Sequence, residues 1–261
     1  MSNRLDDQAQ GLRRLFATPR ARWVPVVSNP EVASSTALLE LLCRAYADLG
    51  LQTLLVDAGE RVETTSELAA VDMSKCIERL SGRVSYLAAR GLPMRYLNHH
   101  GSAAGFLDAV IEAAPQVDVI LLHAAAPEMA RMLTQRQLRP LLLADTDPRS
   151  VTSAYASLKW LAQRTGLLVY SVLMSCPPQL RLATRIAQQL SQCADTYLGA
   201  AVADAVCWDT RASRAPLSAE VLQLARELLL ASPPGERPSP ALLADAQPLR
   251  PLQAHASVFA H

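Results

Sequence analysis

The strongest constraint on the fold is a set of short, largely apolar runs spaced along the chain. They are Trp23–Val27, Leu51–Asp57, Leu92–Leu97, Val117–Leu122, Leu138–Ala144, Leu167–Leu173 and Ala203–Trp208. Several are continuous rather than alternating, the pattern of strands covered on both faces of a parallel sheet. Between them lie stretches of helical periodicity: Ser34–Leu49, Ser66–Leu80, Ser102–Ala114, Pro127–Arg136, Asp147–Gln163, Pro178–Tyr197 and Ser218–Leu230. Punctuation agrees with this. Gly50 and Gly166 stand where helices stop, Ser102 and Asp147 where they are capped, and Pro127 and Pro148 in first turns. Strands separated by helices imply right-handed crossovers. The expected fold is α/β, a mostly parallel sheet flanked by helices in one domain over residues 21–231, with an arm over 1–20 and a tail over 232–261.

Composition narrows the function classes. The 261 residues are 50% hydrophobic, too apolar for a disordered chain, and the net charge of +1 gives no global argument for nucleic acid. No run approaches about 18 uninterrupted apolar residues, so a membrane span is not expected. Arg4, Arg13, Arg14, Arg20 and Arg22 lead the chain without a following apolar core and cleavage site, so no secretion signal is expected. Cys43, Cys76, Cys176, Cys193 and Cys207 are scattered with no close pair, which fits small buried residues better than disulfides or zinc. His99-His100 has no Cys, Asp or Glu near it at metal-ligand spacing. The expectation is a cytoplasmic protein with no metal centre. Pro233, Pro234, Pro238, Pro240, Pro248 and Pro251 crowd the tail.

In a parallel α/β protein the loop after the first strand opens a helix N-terminus and is the usual phosphate site. Here it reads Ser28-Asn-Pro-Glu-Val-Ala-Ser-Ser-Thr36. A phosphate loop needs glycines so that backbone N–H groups face the ligand, and a lysine to neutralise it. Pro30 removes a donor, Glu31 adds a negative charge, and the segment has no lysine. Ser34, Ser35 and Thr36 remain as candidate nucleotide-side residues, with Ser35 or Thr36 able in principle to ligate magnesium. The plainer reading is a capped helix start.

Three segments carry a family resemblance. Asp7-Gln8-Ala9-Gln10-Gly11-Leu12-Arg13 matches the pattern D-Q-A-x-x-L-R. Val27 to Leu49, followed by Leu54-Leu-Val-Asp57, lies where a V-G-K-S-T helix and an L-L-D-A-D strand would stand. Asp147-Pro-Arg-Ser-Val-Thr-Ser-Ala-Tyr155-Ala-Ser-Leu-Lys159 resembles E-P-T-S-I-T-D-A-Y-A-x-I-K. Over residues 6–217 the chain thus resembles the MinD/ParA group of deviant Walker-A ATPases, in its FlhG (FleN) branch of flagellar-number regulators. The resemblance implies a P-loop NTPase fold, an ATP and magnesium site, and Asp57 as one of its acids.

Departures from that pattern bear on activity. Typical members have K-G-G-V-G-K-S-T; both lysines are missing here. The second acid of D-A-D falls at Gly59 and the Walker-B aspartate at His123, while the earlier Asp118 is retained. The asparagine for the adenine ring falls at Met174 or Ser175. Phosphoryl transfer is catalysed almost wholly by positioning and charge stabilisation. Losing these groups together points to a chain with no catalytic residue and no required cofactor.

The arm retains another use. Leu5, Ala9, Leu12 and Phe16 fall on one helical stripe. The resemblance implies that this element engages FlhF, a signal-recognition-type GTPase, and stimulates its hydrolysis. Gln8 would be the polar contact, Asp7 and Arg13 would orient it, and Leu12 would supply the apolar face. Transcriptional activators and a C-ring component are further partners the resemblance implies, with recruitment to the cell pole or flagellar base. The last ten residues lack Lys and Arg, which argues against the family's membrane helix. The competing readings are an ATPase with an unorthodox loop, and a degenerate scaffold of pilus assembly or cellulose synthesis.

Overall fold

Helices and strands alternate because each apolar run is too short to bury itself and needs a crossover to reach its neighbour. The computed structural model describes residues 21–59, 72–176, 180–212 and 215–232. Strand β1 (Arg22–Val27) leads through the candidate loop into α1 (Ser35–Asp48), then β2 (Thr53–Asp57). β3 (Ile77–Arg79) and β4 (Val84–Ala88) follow, then α2 (Ala104–Ala113), β5 (Val119–Ala124) and α3 (Ala126–Met132). The remainder is β6 (Leu141–Asp145), α4 (Pro148–Thr165), β7 (Val169–Ser175), α5 (Leu180–Leu198), β8 (Ala201–Trp208) and α6 (Ala219–Leu230).

The eight strands form one sheet in the order β3-β4-β2-β5-β1-β6-β7-β8, parallel at every pairing except β3 with β4. One face buries Trp23, Val56, Leu122, Phe106, Met129 and Leu158 beneath α2, α3, α4 and α5. The other buries Val24, Val26, Leu121, Leu42, Tyr46 and Leu224 beneath α1 and α6. The expected α/β fold, a mostly parallel sheet flanked by helices, is the one observed. Among the described residues no helix is long and apolar enough to cross a membrane.

Local signals explain most boundaries. Asp147 accepts a hydrogen bond from the Arg149 amide at 2.7 Å, and Gly166 ends α4 in the left-handed region at φ 72°. The Ser218 side chain caps α6 by accepting from Val221 N. Ser102 Oγ accepts from Ala104 N at 3.3 Å, although the residue at the cap position of α2 is Ala103. α3 stops at Met132, short of Arg136, and Gln135 takes a positive φ of 63°.

Two expectations need correction. The helix over Ser66–Leu80 is absent where it is described: Met73–Cys76 is a 3-10 turn and Ile77–Arg79 is a strand. The Asp72 carboxylate accepts from the Ser74 amide and hydroxyl and starts that turn, so it stops a longer helix; residues 66–71 lie outside the described residues. Leu92–Leu97 is not a strand, because Pro93 sits in the first turn of a 3-10 segment over Pro93–Tyr96. The strand in this region is β4, half-buried and broken by Ser85, a weaker signal than a continuous run.

Candidate functional site

The C-terminal ends of β1, β2 and β5 meet at one edge of the sheet, where an open α/β fold places ligands. The β1–α1 loop there is closed upon itself. Asn29, only 4% exposed, donates from Nδ2 to the Leu143 carbonyl at 2.9 Å and to the Ser150 carbonyl at 3.0 Å. Its Oδ1 accepts from the Glu31 amide at 3.1 Å. Val32 N donates back to the Asn29 carbonyl at 3.1 Å, and Ser35 N to the Val32 carbonyl at 3.2 Å. The amides of Glu31, Val32 and Ser35 therefore serve the loop itself, and Pro30 has none to offer. Counted against K-G-G-V-G-K-S-T, the first lysine falls at Asn29, which has become an internal clamp between β1, β6 and α4.

Ser34, Ser35 and Thr36 open α1, the first two half-buried and Thr36 exposed. The expected serine cap is not made: Ser34 occupies the cap position, yet its side chain forms no capping hydrogen bond. Its backbone at φ −93° and ψ 16° is turn-like, unlike the extended cap geometry of Ser218.

Asp57, at the end of β2, stands at the same edge but is already engaged. It lies in register with His123 on the neighbouring β5, with His123 Nδ1 3.6 Å from Asp57 Oδ1. Arg90 Nε donates to Asp57 Oδ2 at 2.7 Å, and the Tyr86 hydroxyl lies 3.4 Å from the same oxygen. Burial alone would raise the Asp57 carboxyl; the contacts from His123 and Arg90 outweigh it and hold the group down to about 2. His123 Nε2 is buried with no hydrogen-bond partner among the described residues. Where a metal site would put two acids, this edge has an acid, an imidazole and a guanidinium.

Among the described residues the other sequence candidates add no acid beside Asp57. Asp118 lies at the opposite edge, at the start of β5, where its Oδ2 accepts from Gln52 N at 2.8 Å; it joins strands and does not face the loop. Gly59 accepts from Gly91 N at 3.0 Å. Met174 is buried at 1% exposure, and Ser175 Oγ pairs with Thr210 Oγ1 at 3.3 Å. Asp7, Gln8, Leu12 and Arg13 lie outside the described residues. Tyr86, Arg90 and the buried role of Asn29 were not read from the sequence. Only the register between β2, β4 and β5 brings the first two onto Asp57.

The residues present thus fit a magnesium nucleotide poorly. The loop holds no lysine, the amides of Glu31, Val32 and Ser35 are spent within it, and Asp57 is ion-paired within the chain.

No family model matches the chain, and no curated protein sequence matches it. Solved structures do. The MinD cell division protein of Aquifex aeolicus is similar at 16% identity and a TM-score of 0.54, over 83% of this chain and all of that one. Its MinC:MinD complex gives the same score and identity. Apo McdA of Cyanthece is similar at 13% identity and a TM-score of 0.55, over 80% of this chain and 99% of that one. The chain has the MinD-type fold.

Proposed function

We propose that this chain is a nucleotide-independent regulator built on the MinD fold, acting in flagellar assembly through an FlhF-type GTPase. The observation that carries the first half is the closed loop: Asn29 occupies the place of the family lysine and ties the loop to Leu143 and Ser150. The acid that the resemblance places in the site, Asp57, is held by Arg90 and His123 within the chain. The second half rests on the D-Q-A-x-x-L-R arm and the Asp147 helix of the sequence, which together point to the flagellar branch. In this reading Gln8 makes the polar contact with the partner, Asp7 and Arg13 orient it, and Leu12 supplies an apolar contact. A flagellar activator or C-ring component is a further partner in this reading, and partners would recruit the chain to the cell pole or flagellar base.

The test is GTP hydrolysis by an FlhF-type GTPase in the presence of the full-length chain. Stimulation that is lost in Gln8→Ala supports the reading. Unchanged hydrolysis with the wild-type chain removes it, and leaves the scaffold of another machine as the better account.

A further inference from the structure

Sulfur collects at the ends of β7 and β8, the last two strands of the sheet. Met174 on β7 stands in register with Cys207 on β8, one strand spacing or about 4.8 Å away. Cys176 follows two residues after Met174, about 6.6 Å further along, and so lies on the same face. Burial agrees. Met174 and Cys176 belong to the core beneath α5, at 1% and 4% exposure, and half-buried Cys207 packs against that core. The Cys176 amide donates to the Trp208 carbonyl at 3.0 Å, which carries the strand pairing one step past β7 and holds Cys176 beside β8. The Cys176 and Cys207 thiols are hydrogen-bonded to each other.

The functional reading above uses none of these three sulfur atoms. Their chemistry narrows what they can hold. Thiolate and thioether are soft ligands and select soft ions such as Cu(I) over magnesium or calcium. A structural zinc site takes four ligands from thiolate, imidazole and carboxylate. Among the described residues no group of three or more His, Cys, Asp or Glu is placed to hold a metal. A soft monovalent ion has no such requirement, since two thiolates and a thioether complete its shell. Cys207 gives it a way in: the residue is half-buried, and among the described residues β8 has no strand beyond it.

We propose that Met174, Cys176 and Cys207 bind a soft monovalent metal ion, Cu(I), in an all-sulfur site at the ends of β7 and β8. On binding, the two thiols release their protons to solvent and each thiolate forms a bond to copper. The Met174 thioether donates a lone pair as the third ligand, and no electron is transferred. Where the family resemblance puts adenine recognition, at Met174 or Ser175, the chain thus offers a metal ligand. The site is four strands from β2 and its Asp57, and it stands or falls whether or not a GTPase is the partner.

Titration of the reduced full-length chain, without oxygen, into Cu(I) held by bicinchoninate tests this, because the colour of that complex fades as copper leaves it. The chain is expected to withdraw one equivalent of Cu(I). X-ray absorption at the copper edge should then show sulfur neighbours only, three per copper. Cys207→Ser should abolish the withdrawal, whereas Cys193→Ser, at an exposed position of α5, should leave it unchanged. Met174→Leu should weaken the affinity at least about tenfold, the smallest loss usual when even an outer partner of a metal site is removed. No withdrawal by the wild-type chain overturns the proposal. So does withdrawal that survives Cys207→Ser, which assigns the copper to other cysteines, and so does an affinity untouched by Met174→Leu. Circular dichroism reports whether the variants fold; if they do not, the absorption spectrum of the loaded wild-type chain decides, and nitrogen or oxygen neighbours overturn the site.

Discussion

The Asp57 carboxylate faces the His123 imidazole across adjacent parallel strands, 3.6 Å from Oδ1 to Nδ1, with Arg90 closing the pair from the side at 2.7 Å. A positive group of the chain's own thus stands beside the acid that a metal would otherwise neutralise. This relationship predicts a pH dependence. The carboxyl is lowered from its ordinary 3.8 to about 2, so its stabilisation is present above the ordinary carboxylate range. It is lost as pH falls from about 4 to 2. The shift caps the effect at about 2 kcal/mol, and the exposure of the Arg90 side chain reduces it to roughly 1 kcal/mol. Denaturant titrations should show Asp57→Asn less stable than wild type at pH 6, with the gap closing toward pH 2. A constant gap would contradict this.

Asn29 makes a second prediction. Its amide is buried and satisfies carbonyls on β6 and α4. Asn29→Ala should cost about 1–3 kcal/mol, the usual penalty for orphaning buried polar groups. Asn29→Lys restores the residue of the sequence pattern, yet should destabilise more, about 3 kcal/mol, because it buries an unpaired charge. Urea midpoints for the two variants check the order. A neutral lysine variant would mean that the loop opens readily.

Thiol chemistry gives a third. Burial, with the Glu40 charge adding to it, pushes the Cys43 thiol up to about 12; burial with Cys176 alongside does the same for Cys207. Cys193 is exposed on α5. Alkylation of the native chain at pH 8 should label Cys193 first, with Cys43 at least about a hundredfold slower until denaturant is added. Mass spectrometry of labelled peptides reads the order directly. The same facts correct the expectation of uniformly buried cysteines, since only Cys43 and Cys176 are fully buried.

Gly166 offers a backbone test. It ends α4 at φ 72°, with nothing within 4 Å of where a Cβ would sit. The cost of Gly166→Ala is therefore conformational alone, about 1 kcal/mol. A thermal melt should show a loss of a few degrees, and an unchanged melt would argue against the left-handed cap.

How much was legible in the sequence differs from element to element. Trp23–Val27 and Leu138–Ala144 announced central strands, because a strand covered on both faces must be apolar throughout. Asp147-Pro148 and Gly166 marked both ends of α4 through local chemistry that needs no tertiary contact. β4 escaped because it lies toward the sheet edge and pairs on one side with the three-residue β3; three of its five residues are only half-buried, and Leu87 alone is fully buried. The site was half legible. Missing lysines and the substituted acids can be read off the chain. That Arg90 and Tyr86 close on Asp57, and that Asn29 clamps the loop, depends on register and on contacts with residues over a hundred positions away.

The measurement that bears most directly on the central claim is a calorimetric titration of the full-length chain with ATP and magnesium, followed by a phosphate-release assay. The account predicts no saturable binding at millimolar nucleotide and no turnover above buffer. Tight binding of magnesium ATP with hydrolysis would contradict it, because the closed loop and the Asp57–His123–Arg90 cluster would then have to open to admit the nucleotide.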